Sequence, residues 1–149
     1  MKRILLVDVL NNTTKKHIRN IEKHYRSKVY YLSKDKVIMT ILDEALPKWL
    51  SFFVKNYTKE LMHLFEIVFG DAMNEYIYGV IDNRIELHRG EINNTLFVIT
   101  GMTLSKDVYY FKKCKYKAVS VMSEYTNFAD FSVGEYDERI TKAIISSLA

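Results

Sequence analysis

The chain has 149 residues, of which 48% are apolar and 27% are charged, and it holds one proline and five glycines. This composition is typical of one globular domain and excludes collagen-like, low-complexity and disordered chains. A single cysteine excludes an internal disulfide framework and indicates a reducing compartment, either cytoplasmic or nuclear. No apolar run reaches the roughly 18 residues of a membrane span, so we expect no contact with a membrane.

The net charge of +4 is unevenly spread, because residues 1–36 hold ten Lys and Arg against three acids. The basic side chains of residues 15–28 are a candidate contact for nucleic acid. Their spacing also suits the solvent-exposed side of a helix, which is the simpler interpretation. The helical members of this set are Lys15, Lys16, Arg19, Lys23 and Arg26.

The first third of the chain alternates strand and helix. Residues 3–10 form a continuous apolar run, which is typical of a strand buried on both faces of a parallel sheet. Thr13 or Thr14 is expected to cap a helix that runs to Tyr25, and residues 28–33 predict a second strand. The pattern therefore begins as an α/β domain.

The middle of the chain predicts a helix, a strand and a second helix. Pro47 is expected to open the first helix, because proline is tolerated in a first turn and apolar residues recur at helical spacing over residues 47–65. The sequence FEIVF at residues 65–69 predicts a short buried strand, which a Gly-Asp turn at residues 70–71 closes. Residues 72–80 predict the next helix.

Residues 81–102 predict a β-hairpin insertion, because RIELHRG alternates apolar and polar residues and TLFVITG is rich in β-branched residues. After it, residues 105–114 predict a helix, residues 117–123 a buried strand and residues 138–148 an amphipathic closing helix. We therefore predict a single α/β domain over residues 1–149, with a mostly parallel central sheet flanked by helices and a small hairpin insertion.

The residues that end the predicted strands are the first candidates for a functional site, because parallel α/β sheets collect reactive groups at the carboxyl ends of their strands. These residues are Asp8, Gly70, Asp71, Ser123 and Glu124. Lys106 begins the helix that precedes the last of these strands. The chain thus presents an acid, a small polar turn, a lysine and a further strand end, in that order.

This order resembles that of the haloacid dehalogenase superfamily, and within it the FCP/SCP-like (NLI-interacting-factor) phosphatases that act on the tail of RNA polymerase II. The longest matching stretch is LFEIVFGDAMNEYIYGVID at residues 64–82. Three shorter stretches resemble the family's insertion hairpin, lysine motif and aspartate-bearing strand: ELHRGEI at 86–92, SKDVYYF at 105–111 and KAVSVMSEY at 117–125. The resemblance implies a Rossmann-like fold.

The resemblance implies that Asp8 takes the position of the nucleophile and that Lys106 takes the position that holds the phosphoryl oxygens, as residual or vestigial groups. The family's other catalytic positions are changed in this chain. Leu10 stands in place of the second acid and Gly70 in place of the threonine, and residues 122–123, Met-Ser, stand in place of the aspartate pair. Magnesium requires several oxygen ligands, and the lost acid removes proton transfer to the leaving group. The resemblance therefore implies a catalytically degenerate phosphatase.

The leading prediction is a domain that no longer catalyses, needs no cofactor and binds a protein partner. Such a domain would act as an accessory factor in transcription or in a viral programme. Gly70, Asp71, Ser123 and Glu124 are its candidate binding residues.

The alternative prediction is an active metal-dependent enzyme with rearranged acidic ligands. Asp71 and Glu124 flank the changed positions and would join Asp8 around Mg²⁺ in an aspartyl-phosphate phosphatase. A PIN/NYN-like nuclease would instead use Asp8, Asp107 and Asp130. Stabilisation by magnesium or manganese that is lost in Asp8→Asn would favour either enzyme over the binding domain.

Overall fold

The computed structural model describes residues 2–50, 56–88, 95–114, 116–124 and 126–149. The strands are β1 (Arg3–Val7), β2 (Lys28–Ser33), β3 (Thr95–Thr100), β4 (Lys117–Met122) and β5 (Phe131–Ser132). They form a parallel sheet in the order β2–β3–β1–β4–β5. The predicted α/β class with a mostly parallel central sheet is confirmed.

Helices cover both faces of this sheet. They are α1 (Asn12–Tyr25), α2 (Lys34–Ala45), α3 (Thr58–Leu87), α4 (Ser105–Lys113) and α5 (Glu138–Leu148). Helices α1 and α5 pack on one face, and α2, α3 and α4 pack on the other. No helix in the described part of the chain is both long and apolar enough to cross a membrane.

The central strand β1 explains the continuous apolar run at the start of the chain. Ile4 and Leu6 are buried in the core cluster beneath α2, α3 and α4, whereas Leu5 and Val7 are buried beneath α1 and α5. Side chains alternate across a strand, so a strand that is covered on both faces needs an apolar residue at every position.

Helix α1 begins one turn earlier than a cap at Thr14 would place it, because Asn11 is the N-cap. The Asn11 side chain accepts a hydrogen bond from the Thr14 backbone N–H at 2.9 Å, and the Thr14 hydroxyl oxygen accepts one from the Asn11 N–H at 2.9 Å. This reciprocal pair satisfies two free N–H groups of the first turn. The predicted cap at Thr13 or Thr14 is therefore wrong, although the end at Tyr25 is confirmed.

The predicted strand at residues 65–69 is wrong, because these residues are helical and belong to α3. A short apolar run has no period of its own that separates a buried strand from a helix. The run FEIVF continues the helix that begins at Thr58, and the helix is interrupted only at Gly70, with φ 52° and ψ −131°. Gly70 is therefore a kink inside α3 and not a turn after a strand.

The predicted β-hairpin at residues 81–102 is also wrong. Residues 81–87 complete α3, and Ile77, Ile81 and Ile85 are fully buried at the four-residue spacing of one helix face. The β-branched run became β3, which pairs in parallel with both β1 and β2. Residues 89–94, the middle of the predicted hairpin, lie outside the described residues.

The remaining elements agree with the sequence, apart from one missed strand. The predicted strands at residues 28–33 and 117–123 and the helices near the C-terminus are confirmed. Strand β5 was not predicted, because it has only two residues. Residues 48–50 after Pro47 are helical, but residues 51–55 of that predicted helix lie outside the described residues.

Candidate functional site

The carboxyl ends of β1, β3 and β4 meet at a topological switch point of the sheet. The connection after β1 runs towards the β2 edge, whereas the connections after β3 and β4 run towards the β5 edge. In open α/β sheets, a crevice outside such a point is the usual place for a ligand. Asp8 and Gly101 meet there, because the Gly101 N–H donates to the Asp8 carbonyl oxygen at 3.1 Å.

Asp8 is held by Ser123 across this point. The Ser123 backbone N–H lies 2.9 Å from Asp8 Oδ1, and the Ser123 hydroxyl donates to Oδ2 at 2.8 Å. The Val9 backbone N–H adds a third hydrogen bond to Oδ1 at 2.6 Å. Both carboxylate oxygens therefore accept hydrogen bonds, and the group links β1 to the end of β4. The sequence correctly selected both residues as strand-end groups.

Lys106 contacts Asp71 and lies at the surface. Its Nζ is 3.1 Å from Asp71 Oδ1, and the two side chains are 44% and 86% exposed. Asp71 follows the kink at Gly70 inside α3, so Gly70 and Asp71 lie within a helix and not at a strand end. The expectation that Gly70 and Asp71 belong to the strand-end site beside Asp8 is therefore wrong. It failed because the preceding residues form a helix and not a strand.

The acidic residues proposed as metal ligands have separate environments. Glu124 is exposed, and Asp71 is paired with Lys106. Asp130 accepts hydrogen bonds from the Ser120 N–H at 2.8 Å and from its hydroxyl at 3.0 Å. Among the described residues, no group of three or more His, Cys, Asp or Glu side chains is arranged to hold a metal ion.

A buried cation that the sequence analysis missed lies near the carboxyl end of β3. Lys34 Nζ is 2.8 Å from Asp107 Oδ1, and their side chains are 4% and 0% exposed. The Tyr78 hydroxyl also donates to Asp107 Oδ1, and the Leu104 N–H donates to Oδ2 at 3.1 Å. This buried cluster (Lys34, Tyr78 and Asp107) ties α2, α3 and α4 together. A polar residue directly after β2 was the only signal for it.

Gly101 makes room for this cluster at the switch point. Its φ of 81° is a conformation that favours glycine, and an added Cβ would lie 3.2 Å from the Lys34 Cβ and 3.3 Å from Asp35 Oδ1. A larger residue would push against the first turn of α2. The close approach of β3's end to α2 therefore depends on glycine at this position.

The first half of α3 has apolar side chains that face solvent. Leu64, Ile67 and Val68 are 53%, 68% and 62% exposed. Their spacing of three and four residues places them on one side of the helix, and we call this set the α3 stripe. Helices normally turn such a stripe towards the core. A contiguous apolar surface that stays exposed is typical of a protein-binding site.

The sequence of the segment that carries the α3 stripe is acidic. Residues 58–75 contain Glu60, Glu66, Asp71 and Glu75 against the single cation Lys59. This segment contrasts with α1, where Lys15, Lys16, Arg19 and Lys23 are exposed. The latter residues line the solvent side of α1, as their spacing predicted.

Comparisons with known protein families and with curated proteins find no match to this chain. The stretches at residues 64–82 and 86–92 resemble a strand and a hairpin of that family, but their described residues are helical up to residue 87.

Proposed function

We propose that the protein is a non-catalytic α/β domain that binds a partner protein along the α3 stripe. The observation that carries the proposal is the exposure of Leu64, Ile67 and Val68 on one side of α3. Apolar side chains at this spacing are the anchors through which helices pair with other helices. The proposal places the domain in a reducing compartment and requires no metal or cofactor.

The charge of this segment in the sequence guides the choice of partner. Residues 58–75 have four acids and one lysine, and one of these acids, Asp71, is paired with Lys106. A complementary partner is an amphipathic helix with an apolar side and basic flanks, since opposite charges across an interface favour association and exclude like-charged competitors. We therefore propose a basic amphipathic helix as the bound segment.

Two features support a role without catalysis. Both oxygens of Asp8 accept hydrogen bonds from Ser123 and Val9, which hold the carboxylate as a link between β1 and the end of β4. Lys106 is paired with Asp71 on the surface. The two groups that the phosphatase resemblance would use in one reaction thus have other partners.

The first test is peptide binding with a matched pair of variants. The probe is a helical peptide of about 18 residues with leucines at positions i, i+3, i+4 and i+7 and lysines elsewhere, and its control replaces every lysine with glutamate. We expect the basic peptide to bind and Val68→Lys to weaken it by at least about tenfold in fluorescence anisotropy. Val9→Lys is the matched control, since Val9 is also an exposed valine, at 56%, and it follows strand β1 and is not part of α3.

The outcomes separate the proposal from its rivals. Equal binding to Val68→Lys and to the original chain would overturn it, as would equal binding of the acidic peptide. A phosphatase assay with p-nitrophenyl phosphate and magnesium tests the non-catalytic part. Phosphate release that disappears in Asp8→Asn would show that the domain is an enzyme.

A further inference from the structure

Helix α1 presents a positively charged surface to solvent. Residues 12–28 hold six Lys and Arg side chains against one acid, Glu22. Lys15, Arg19 and Lys23 are exposed, and within the described residues none of these three side chains forms an ion pair with an acid. Lys106, in contrast, is paired with an aspartate. The charge of α1 is therefore available to an external anion.

The three exposed cations form a line along α1. Lys15, Arg19 and Lys23 are spaced by four residues, which places them on one side of the helix with a rise of about 6 Å from each to the next. We call this set the α1 basic line. Like charges at this spacing destabilise a helix, and an extended polyanion that follows the axis would neutralise each of them. The line is therefore suited to a chain of phosphates more than to a single small anion.

An exposed tyrosine of β2 lies beside the α1 basic line. Tyr31 is 51% exposed, and it shares a sheet face with Val29, which packs against the core cluster beneath α1 and α5. Burial raises the pKa of Tyr31, the Glu22 carboxylate raises it further and the Arg19 guanidinium lowers it. The charged groups of α1 therefore act on the Tyr31 hydroxyl, and the ring is accessible next to them.

A line of cations beside an exposed aromatic ring is the combination with which proteins bind single-stranded nucleic acid. The cations contact the phosphates, and an unpaired base stacks on the ring. In a duplex the bases are already stacked on one another, so a surface tyrosine has no free base to contact. An acidic peptide supplies negative charge but no regular series of flat rings. The combination therefore favours a single strand over both of these polyanions.

We propose that α1 and Tyr31 bind single-stranded nucleic acid, with the α1 basic line on the phosphates and Tyr31 stacked on a base. Phosphates and the flat face of a base are common to all sequences, so the binding is independent of base sequence. The site is separate from the α3 stripe, because α1 and α3 cover opposite faces of the sheet. Failure of one proposal leaves the other intact.

The test is fluorescence anisotropy of the whole chain with two labelled probes, a strand of about 20 deoxythymidines and a strand of about 20 uridines. We expect both to bind at low salt, at least about fivefold more tightly than a thymidine–adenosine duplex of the same length. Each phosphate contact on a single strand contributes about −0.7 to the slope of log K against log salt concentration. Three contacts should therefore give a slope of about −2.

A matched pair of double variants tests the cations. Arg19→Gln with Lys23→Gln should weaken binding of the deoxythymidine strand by at least about tenfold and make the slope shallower by about 1.4. Lys36→Gln with Lys113→Gln removes the same charge from exposed lysines of α2 and α4, which cover the other face of the sheet. This control should change the affinity by less than about threefold.

Three tyrosine variants test the stacking. Tyr31→Ala should weaken binding by at least about fivefold and leave the salt slope unchanged, because it removes a ring and no charge. Tyr31→Phe keeps the ring and should bind like the original chain. Tyr109→Ala is the matched control and should also bind like the original chain, since Tyr109 is 61% exposed beside Lys113 but lies on α4.

Four results would overturn the proposal. Duplex binding as tight as that of the single strands would exclude a single-strand site, and so would displacement of the deoxythymidine strand by an equal charge concentration of polyglutamate. The same loss in both double variants would show that the strand does not bind at α1. Unchanged binding in Tyr31→Ala would mean that charge alone attracts the strand, without a stacked base.

Discussion

Among the lysine–aspartate pairs that connect α4 to the rest of the described chain, two differ mainly in burial. In the buried pair, Lys34 and Asp107 are 4% and 0% exposed, whereas in the surface pair, Lys106 and Asp71 are 44% and 86% exposed. Lys106 and Asp107 are adjacent in the chain, but neighbours on a helix point in different directions. Lys106, which the family resemblance names, is exposed to solvent, whereas Lys34, which it does not name, is buried.

A lysine–aspartate pair therefore contributes differently to stability at the surface and in the interior. An exposed pair is screened by water and is worth little. A buried pair costs desolvation on both sides, but removal of one partner leaves the other charge uncompensated. The buried cluster is therefore where a single substitution should matter most.

The largest effect is expected for Asp107→Asn, which removes the charge that Lys34 faces while it keeps the side-chain size. The loss of unfolding free energy should be about 3–5 kcal/mol, measured by urea denaturation. The double variant Lys34→Met with Asp107→Leu should recover part of this loss, because it leaves no unpaired buried charge. A change within about 0.5 kcal/mol for Asp107→Asn would contradict the assignment.

A buried histidine on the opposite face of the sheet should make the stability of the protein depend on pH. His17, on α1, is fully buried, and its Nδ1 lies 2.5 Å from the hydroxyl of Thr141 on α5. Burial lowers the pKa of His17, and the Asp137 carboxylate offsets this only in part. In the folded state the ring therefore takes up a proton at a lower pH than in the unfolded chain.

The sign of the expected pH dependence follows from that difference. The unfolded histidine titrates at about pH 6.5, so the contribution of neutral His17 is complete above that pH and is lost as the pH falls below it. The slope cannot exceed about 1.4 kcal/mol for each pH unit. Urea unfolding at about pH 7.5 and about pH 5.5 should show a larger loss in the original chain than in His17→Phe. The same loss in both chains would assign it to other groups.

The smallest effect is expected for Lys106→Ala. Because its pair with Asp71 is exposed, the change in unfolding free energy should be below about 1 kcal/mol and should shrink further as salt is added. Thermal or urea unfolding at low and high ionic strength measures this difference. A loss comparable to that of Asp107→Asn would mean that the two pairs have the same weight.

The candidate site was predictable only where it depended on strand ends. Asp8 and Ser123 follow segments rich in apolar residues, and these segments are the strands β1 and β4. Gly70 and Asp71 also follow an apolar run, but that run is helical because it belongs to the same helix as the buried Ile77, Ile81 and Ile85. A five-residue apolar segment has the same sequence pattern in a buried strand and in a helix.

The α/β class follows from the sequence itself, because a strand buried on both faces and an amphipathic helix each leave a local pattern in the chain. Burial of Lys34 leaves no such pattern, since its partner Asp107 is 73 residues away. The exposure of Leu64, Ile67 and Val68 is also absent from the sequence, because their spacing is the same as that of a core-facing helix. Such outcomes depend on which surfaces the packed sheet and helices cover, and that is decided only when distant segments meet.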